Sequence, residues 1–216
     1  MGHSRITSLV ARARPGRVLA DHEIAAAVRK GRLRVDPFDD ELVRPAAISL
    51  RLGETAFVLR SDAPVDTAEA ASYPALEPRL PDDAGRLTVN PGEVVLAPTL
   101  ERIVMPDTLV GVLDGISDVA RLGMSVVLAH QVSPGFGAPD GAVLTLEIVS
   151  RLGRPVHLRP RTRICNLMLM RCAPPRRPYS EMPHNHSGDR DAMPSVLAAY
   201  AGAGLPALPP TLGAST

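Results

Sequence analysis

Short apolar runs separated by turns dominate the chain from residue 87 onward. Six runs rich in aliphatic and β-branched residues follow one another: EVVLAP (93–98), TLVGVL (108–113), MSVVLA (124–129), AVLTLEIVS (142–150), PVHLR (155–159) and ICNLMLM (164–170). Turn-forming pairs lie between them, such as Pro91-Gly92, Pro106-Asp107 and Pro134-Gly135. Many short strands with such turns predict a sandwich, jelly roll or small barrel rather than a βαβ fold.

The pattern before residue 87 predicts fewer elements. Asp21 can cap a short helix that Gly31 ends, and its apolar stripe is formed by Ile24, Ala27 and Val28. Two extended runs follow, RLRVDPF (32–38) and ISLRLG (48–53). Residues 61–86 mix Pro, Asp, Ala and Ser without a steady period, which predicts a long excursion.

One helical turn interrupts the strand pattern. The stretch from Ser117 to Gly123 begins with a residue type that caps helices and ends with a glycine typical of the C′ position. Ser117 and Arg121 are four residues apart and share one side of that turn. Such a pair suits an anionic or polar ligand, although a cap serine beside a solvent-facing arginine is the commoner explanation.

Glu147 is the single acid inside the apolar run 142–150 and shares one strand face with Thr145 and Val149. Burying a carboxylate without a partner is costly, so Glu147 is at a strand end, ion-paired or functional. A pair with Arg121 is the structural alternative. The functional interpretation makes Glu147 a general base.

The amino-acid composition limits which binding partners and which cellular compartment we expect for this protein. The chain has 216 residues and net charge +1, which leaves no electrostatic footprint for nucleic acid. Only 3% of its residues are aromatic and no apolar run approaches a membrane span, so we expect neither nucleic acid nor membrane as partner. The two cysteines, Cys165 and Cys172, lack metal-ligand spacing and are expected to be buried free thiols. A small molecule or another protein is the expected partner, with a cytoplasmic location favoured.

The ends of the chain differ in composition from the middle. Residues 1–17 carry four Arg and no acid, and we interpret them as a basic N-terminal extension. Residues 174–216 are rich in Pro, Ala, Gly and Ser, which predicts a loosely ordered C-terminal tail. The domain itself is expected over 18–173. Two histidines in the tail, His184 and His186, are expected to be solvated, and no metal site is predicted.

Several of these motifs together resemble the deoxycytidine triphosphate deaminase family. The stretch 18–53 is similar to the amino-terminal part of that family. Downstream, NPGEVVLAPTLERIVMP (90–106), SDVARLG (117–123), LAHQVSPGF (128–136) and LTLE (144–147) are similar to its central motifs and stand in the family's order. The resemblance covers residues 18–172.

The resemblance implies a distorted β-barrel of the deoxyuridine triphosphatase type, assembled as a homotrimer with active sites between subunits. It implies hydrolytic deamination at cytosine C4 without a metal for the chemistry, with Mg²⁺ serving only a triphosphate. Glu147 matches the catalytic carboxylate, and Ser117 and Arg121 match residues that orient the water, base and phosphates. Ala129 and His130 match the segment that recognises the pyrimidine edge. The expected substrate is therefore a cytosine nucleotide or nucleoside.

The chain departs from the family mainly at positions expected to meet the ligand. Ile116 stands where the family has a phosphate-binding arginine, and the acid Asp118 follows two residues later. Ser133 replaces an aspartate expected at the sugar, while Asn166 stands for a glutamine and Ser49 for another aspartate. The Lys-Tyr-x-x-Gln segment that closes over the triphosphate has no clear counterpart in 174–216.

These departures leave more than one function open. The chain is either a divergent deaminase of a cytosine nucleotide or nucleoside, or a diverged scaffold that performs another reaction in specialised metabolism. A third possibility is a protein that binds a ligand without catalysis. A deoxyuridine triphosphate diphosphatase is disfavoured, because that class needs an aspartate where Ser133 stands and a glycine-rich aromatic tail.

Overall fold

The computed structural model describes residues 16–183 and 185–201. In this part of the chain the helices are α1 (Asp21–Arg29), α2 (Ser117–Arg121) and α3 (Ala198–Ala201). The strands are β1 (Arg34–Asp36), β2 (Val43–Arg44), β3 (Ala47–Arg51), β4 (Phe57–Arg60), β5 (Ala75–Pro78), β6 (Leu87–Val89), β7 (Val94–Val104), β8 (Leu109–Gly115), β9 (Met124–Ser125), β10 (Gln131–Val132), β11 (Ala142–Ser150), β12 (Val156–Leu158) and β13 (Arg163–Arg171). The predicted mainly β class with a few short helices is confirmed.

The strands pair into separate antiparallel sheets. One sheet has the order β5-β4-β7-β11-β9, with β1 also paired to β7. A second sheet has the order β10-β8-β13-β3-β2, and β12 pairs with β6 alone. Residues from both larger sheets contribute to one hydrophobic core, for example Leu146 and Ile148 from β11 and Leu50 and Leu167 from the other sheet. The described strands thus form a distorted, layered β fold, and their pairing does not close into a single ring.

The long strands agree with the predicted runs, whereas the start of helix α1 does not. β11 has the predicted bounds 142–150, and β8 and β13 differ by one or two residues. Helix α1 is capped by Ala20, whose N–H donates to the Glu23 carboxylate at 3.3 Å, so the prediction of Asp21 as cap is wrong by one residue. Gly31 follows the helix with φ +64°, as expected for a terminating glycine.

A buried ion pair connects the two larger sheets. The side chain of Glu101 on β7 is fully buried, and its carboxylate accepts hydrogen bonds from Arg51 Nε at 2.6 Å and from the Arg51 N–H at 2.8 Å. Thr99 is also buried and accepts a hydrogen bond from the Leu144 N–H at 3.0 Å. These contacts link β7 to β3 and to β11. No helix among the described residues is long and apolar enough to cross a membrane.

Candidate active site

A cavity of about 510 Å³ lies beside β11, between the two larger sheets and the segment that follows β13. Its lining is largely apolar, with a small number of polar groups, as is typical of small-molecule sites. The lining residues are Leu59, Tyr73, Pro74, Leu96, Leu113, Ala129, Gln131, Val132, Ser133, Phe136, Val143, Leu144, Thr145, Glu147, Tyr179, His186, Asp189, Met193, Pro194 and Ser195.

Glu147 reaches the cavity because β11 alternates its side chains between two faces. Leu146 and Ile148 point into the core and are at most 1% exposed, whereas Glu147 is half-buried on the other face with Thr145. Glu147 lies opposite Leu96 of β7 in the strand register, and both side chains line the cavity. The carboxylate is therefore held by a strand paired on β7, with apolar neighbours.

Two backbone amides fix the Glu147 carboxylate. Its Oε2 accepts hydrogen bonds from the Leu128 N–H at 2.9 Å and, more weakly, from the Ala129 N–H at 3.4 Å. Its Oε1 accepts no hydrogen bond within the described ranges, which leaves that oxygen available to a ligand or a water molecule. The structural alternative, an ion pair between Glu147 and Arg121, is not formed in this chain.

The segment 129–133 lies along one side of the cavity. Ala129, Gln131, Val132 and Ser133 all line it. His130 does not line it, because its ring Nδ1 lies 2.7 Å from the carbonyl oxygen of Leu113 on β8. The His130 carbonyl accepts a hydrogen bond from the Leu113 N–H at 2.7 Å, so the main chain here is tied to β8.

Ser117 and Arg121 lie outside the cavity. Both are exposed, and Arg121 contacts Asp118 at 3.4 Å across one helical turn. Ser117 is the first helical residue, with Ile116 at the N-cap position and no side-chain cap, so the predicted capping role of Ser117 is wrong. Gly123 ends this turn with φ +76°, as predicted.

Asn166 also lies away from Glu147, in the interior of the second sheet. The Ser49 hydroxyl donates to Asn166 Oδ1 at 2.8 Å and accepts from Arg44 Nε at 3.2 Å. Ser49 is 1% exposed, so this small polar chain satisfies buried groups between β3 and β13. Among the predicted site residues, the structure thus brings Glu147, Ala129 and Ser133 together and leaves Ser117, Arg121, His130 and Asn166 outside the cavity.

A segment that sequence reasoning assigned to the tail covers the cavity. We call residues 179–183 and 185–195 the covering segment. Tyr179 begins it, with its N–H donating to Pro134 O at 3.1 Å and its ring 6.0 Å from that of Phe136. Further along, the Val143 N–H donates to Asp189 O at 3.1 Å, which attaches the segment to β11. Composition predicted a loosely ordered tail from residue 174 and did not indicate these contacts; residues 202–216 lie outside the described part.

The covering segment brings an imidazole–carboxylate pair into the cavity. His186 Nδ1 lies 2.8 Å from Asp189 Oδ2, and the His186 N–H donates to the Tyr179 hydroxyl at 3.1 Å. Burial raises the pKa of Asp189, against the opposing effect of His186. His186 was expected to be solvated, and Asp189 drew no interpretation. His184, the other histidine of that motif, lies outside the described residues.

Comparison with known proteins identifies the domain. A family model described as dCTP deaminase-like matches residues 18–172. The chain is 34% identical to a "dCTP deaminase, dUMP-forming" from Mycolicibacterium vanbaalenii, with 82% of this chain and 94% of the relative covered. It is 33% identical to the protein of the same description from Mycobacterium tuberculosis H37Rv, with the same coverage.

One solved structure agrees in fold. The structure of 2'-deoxycytidine 5'-triphosphate deaminase from Agrobacterium tumefaciens superimposes with a TM-score of 0.56 at 20% identity. The match covers 74% of this chain and 49% of that chain, so this chain spans about half the length of that protein. At this identity the similarity concerns the fold of the domain.

Proposed function

The chain belongs to the dCTP deaminase-like family, and on this premise we propose that it hydrolytically deaminates a cytosine nucleotide or nucleoside. The observation that carries the proposal is Glu147, a carboxylate with one free oxygen at the wall of a largely apolar cavity. Relatives are described as forming dUMP from dCTP, which supports cytosine as the base.

In the proposed reaction Glu147 handles the protons. Hydrolytic loss of ammonia from C4 requires a base that takes a proton from water and an acid that gives one to the leaving amine. A single carboxylate serves both steps, because it is protonated by the water it activates. The Leu128 and Ala129 amides keep Oε2 in place, so Oε1 is the oxygen proposed to contact the water.

The segment 129–133 is proposed to recognise the pyrimidine. Ala129 and Ser133 line this wall, and His130, whose carbonyl accepts from the Leu113 N–H, holds the segment against β8. The proposal assigns no metal to the chemical step, because the Pro-Cys-x-x-Cys motif of zinc deaminases is absent from the sequence. Mg²⁺ is required only if the substrate is a triphosphate.

We propose that the site is completed by a second copy of the chain in a homotrimer. Ser117 and Arg121 are exposed and lie outside the cavity of their own chain, so they are available to the cavity of a neighbour. Leu122 and Leu128 are 58% and 54% exposed, beside α2 and beside the Glu147-binding amides. Exposed apolar side chains next to incomplete sites support a subunit interface there.

The test is ammonia release by the purified full-length chain. The candidate substrates are deoxycytidine and cytidine with their mono-, di- and triphosphates, with Mg²⁺ present. We expect ammonia from at least one of them, and a fall of about a thousand-fold in the rate for Glu147→Gln. Gln accepts the same amide hydrogen bonds, so the fold of the variant should be preserved.

Glu77→Gln is the matched control, because Glu77 is an exposed carboxylate on β5 outside the cavity. Its activity should equal that of the unaltered chain. No ammonia from any of these compounds would overturn the proposed deamination and favour another reaction or simple binding. Activity that survives Glu147→Gln would overturn the role of Glu147.

A further inference from the structure

The titratable groups around the cavity are predominantly acidic. Glu147 and Asp189 are carboxylates, His186 is paired with Asp189, and none of the described lining residues is Arg or Lys. A site that binds a phosphate chain normally presents arginine, lysine or clustered backbone amides. The cavity of this chain presents apolar walls and acids instead.

Asp189 is held in the cavity by the main chain around it. Its own carbonyl accepts from the Val143 N–H at 3.1 Å, and its N–H donates to His186 O at 3.3 Å. The neighbouring Arg190 donates to the Gly141 carbonyl, and Asp191 accepts from the Thr55 hydroxyl at 2.5 Å. These two side chains attach the segment to the rest of the fold. The Asp189 carboxylate is thereby held at the cavity wall.

The arginines near the cavity have other partners. Arg60, next to the lining residue Leu59, contacts Glu77 at 2.8 Å and Glu93 at 2.9 Å. Arg190 is directed at the Gly141 carbonyl. Arg121 lies 3.4 Å from the carboxylate of Asp118 on the same helical turn. A neighbouring copy that supplies Arg121 therefore supplies an acid as well. Among the described residues, with Arg121 and Asp118 of a neighbouring copy counted together, no net positive charge is offered to a ligand at this site.

We propose that the His186–Asp189 pair selects an uncharged cytosine compound, a nucleoside or the free base, over its phosphorylated forms. The inference rests on the proposed function and specifies its substrate class. A phosphate chain that reaches Asp189 meets a like charge in a partly dehydrated cavity, where such repulsion is strong. A nucleoside avoids that repulsion, and its sugar hydroxyls can donate hydrogen bonds to the Asp189 carboxylate.

Direct binding tests this without depending on turnover. Titration calorimetry of the full-length Glu147→Gln variant with deoxycytidine, dCMP and dCTP, each with Mg²⁺, compares the three ligands without their conversion. We expect deoxycytidine to bind at least about ten times more tightly than dCTP, with dCMP between them. Tighter binding of dCTP, or no binding of deoxycytidine into the millimolar range, would overturn the proposal.

The substitution Asp189→Asn, made in the Glu147→Gln variant, tests the contribution of the Asp189 charge. Asn retains an oxygen that accepts from His186 but removes the charge, so the ratio of dCTP to deoxycytidine affinity should rise about ten-fold. Asp191→Asn is the control, because Asp191 lies two residues away in the same segment and does not line the cavity. An unchanged ratio for Asp189→Asn, or an equal rise for Asp191→Asn, would overturn the assignment to Asp189.

The ammonia assay separates this inference from the proposed function. Deamination of dCTP in preference to deoxycytidine would leave the proposed function standing and overturn the selectivity. Tight deoxycytidine binding with no ammonia from any cytosine compound would support the selectivity of the cavity and overturn the deamination.

Discussion

Two carboxylates in this chain show how hydrogen-bond partners distinguish a reactive group from a structural one. Among the described residues, only main-chain amides hold Glu147, and it faces a cavity with one oxygen that accepts no hydrogen bond from them. Glu93, in the turn between β6 and β7, accepts from Arg79 at 2.9 Å, from Arg60 at 2.9 Å and from the Asn90 side chain at 3.0 Å. All of its acceptor capacity is used inside the fold, so its contribution is to stability.

Glu93 should make stability depend on pH in the acid range. Although burial opposes the change, hydrogen bonds from Arg79 and Asn90 lower the pKa of Glu93 from 4.5 to about 2. A lowered carboxyl pKa stabilises the fold above pH 4.5, and that stabilisation is lost as the pH falls from 4.5 toward 2. In urea unfolding, the difference in free energy between the unaltered chain and Glu93→Gln should shrink by about 3 kcal/mol over that range.

Glu77→Gln is the control for that measurement. Glu77 shares Arg60 with Glu93 but is 57% exposed, so its pair is screened by solvent and contributes little. A difference for Glu93→Gln that stays constant from pH 5 to pH 2 would contradict the role of this carboxylate.

At the level of single residues the sequence located the acid but not its surroundings. Glu147 could be predicted because an isolated acid in an apolar run demands an explanation. The spacing of Ser117 and Arg121 correctly placed them on one helical turn, but spacing does not tell which way that side faces. Asp189 has no periodic pattern around it, and its position follows from contacts with β11, more than 40 residues away.

At the level of elements, regular strands were predictable and their interruptions were not. The run 124–129 was predicted as one strand, but β9 ends at Ser125. Val126 and Val127 are buried, so the run is apolar for reasons of packing. The chain leaves the sheet there, and the next two N–H groups turn to the Glu147 carboxylate. In the same way β5 lies within the stretch 61–86, where proline and aspartate concealed the short strand.

The turn before β11 depends on Gly137. This residue has φ +75°, and a Cβ placed there would lie 1.9 Å from the carbonyl oxygen of Ile103 on β7. Gly137→Ala therefore pushes residue 137 away from the β7 backbone at Ile103. The cost of the positive φ adds to the cost of this displacement, so the free energy of unfolding in urea should fall by about 3 kcal/mol or more.

Gly85→Ala provides the comparison for the turn. Gly85 has a similar φ of +69° but nothing within 4 Å of a Cβ, so only the conformational cost of about 1 kcal/mol applies. Equal losses in the two variants would contradict the importance of close backbone contact at Gly137.

At the level of the whole molecule, the proposed active site requires residues from more than one subunit. The cavity of one chain holds Glu147 but neither Ser117 nor Arg121, and Leu122 exposes 58% of its surface beside them. Light scattering of the purified chain should give three times the mass of one chain. A monomer mass would contradict the proposed trimer.

A surface substitution localises that interface. Leu122→Asp places a charge beside α2 and should dissociate the trimer and lower the rate of deamination together. Leu80→Asp is the control, because Leu80 is 80% exposed on the loop after β5 and is not part of this surface. Dissociation by the control alone would place the interface elsewhere.

Glu147 is proposed to direct water to C4 of cytosine. The most direct measurement is mass spectrometry of the uracil product formed in water enriched in heavy oxygen. We predict one heavy oxygen atom at C4 of each product molecule and release of ammonia in equal amount, with both lost in Glu147→Gln. Product without heavy oxygen, or labelled product at an unchanged rate in Glu147→Gln, would contradict the account.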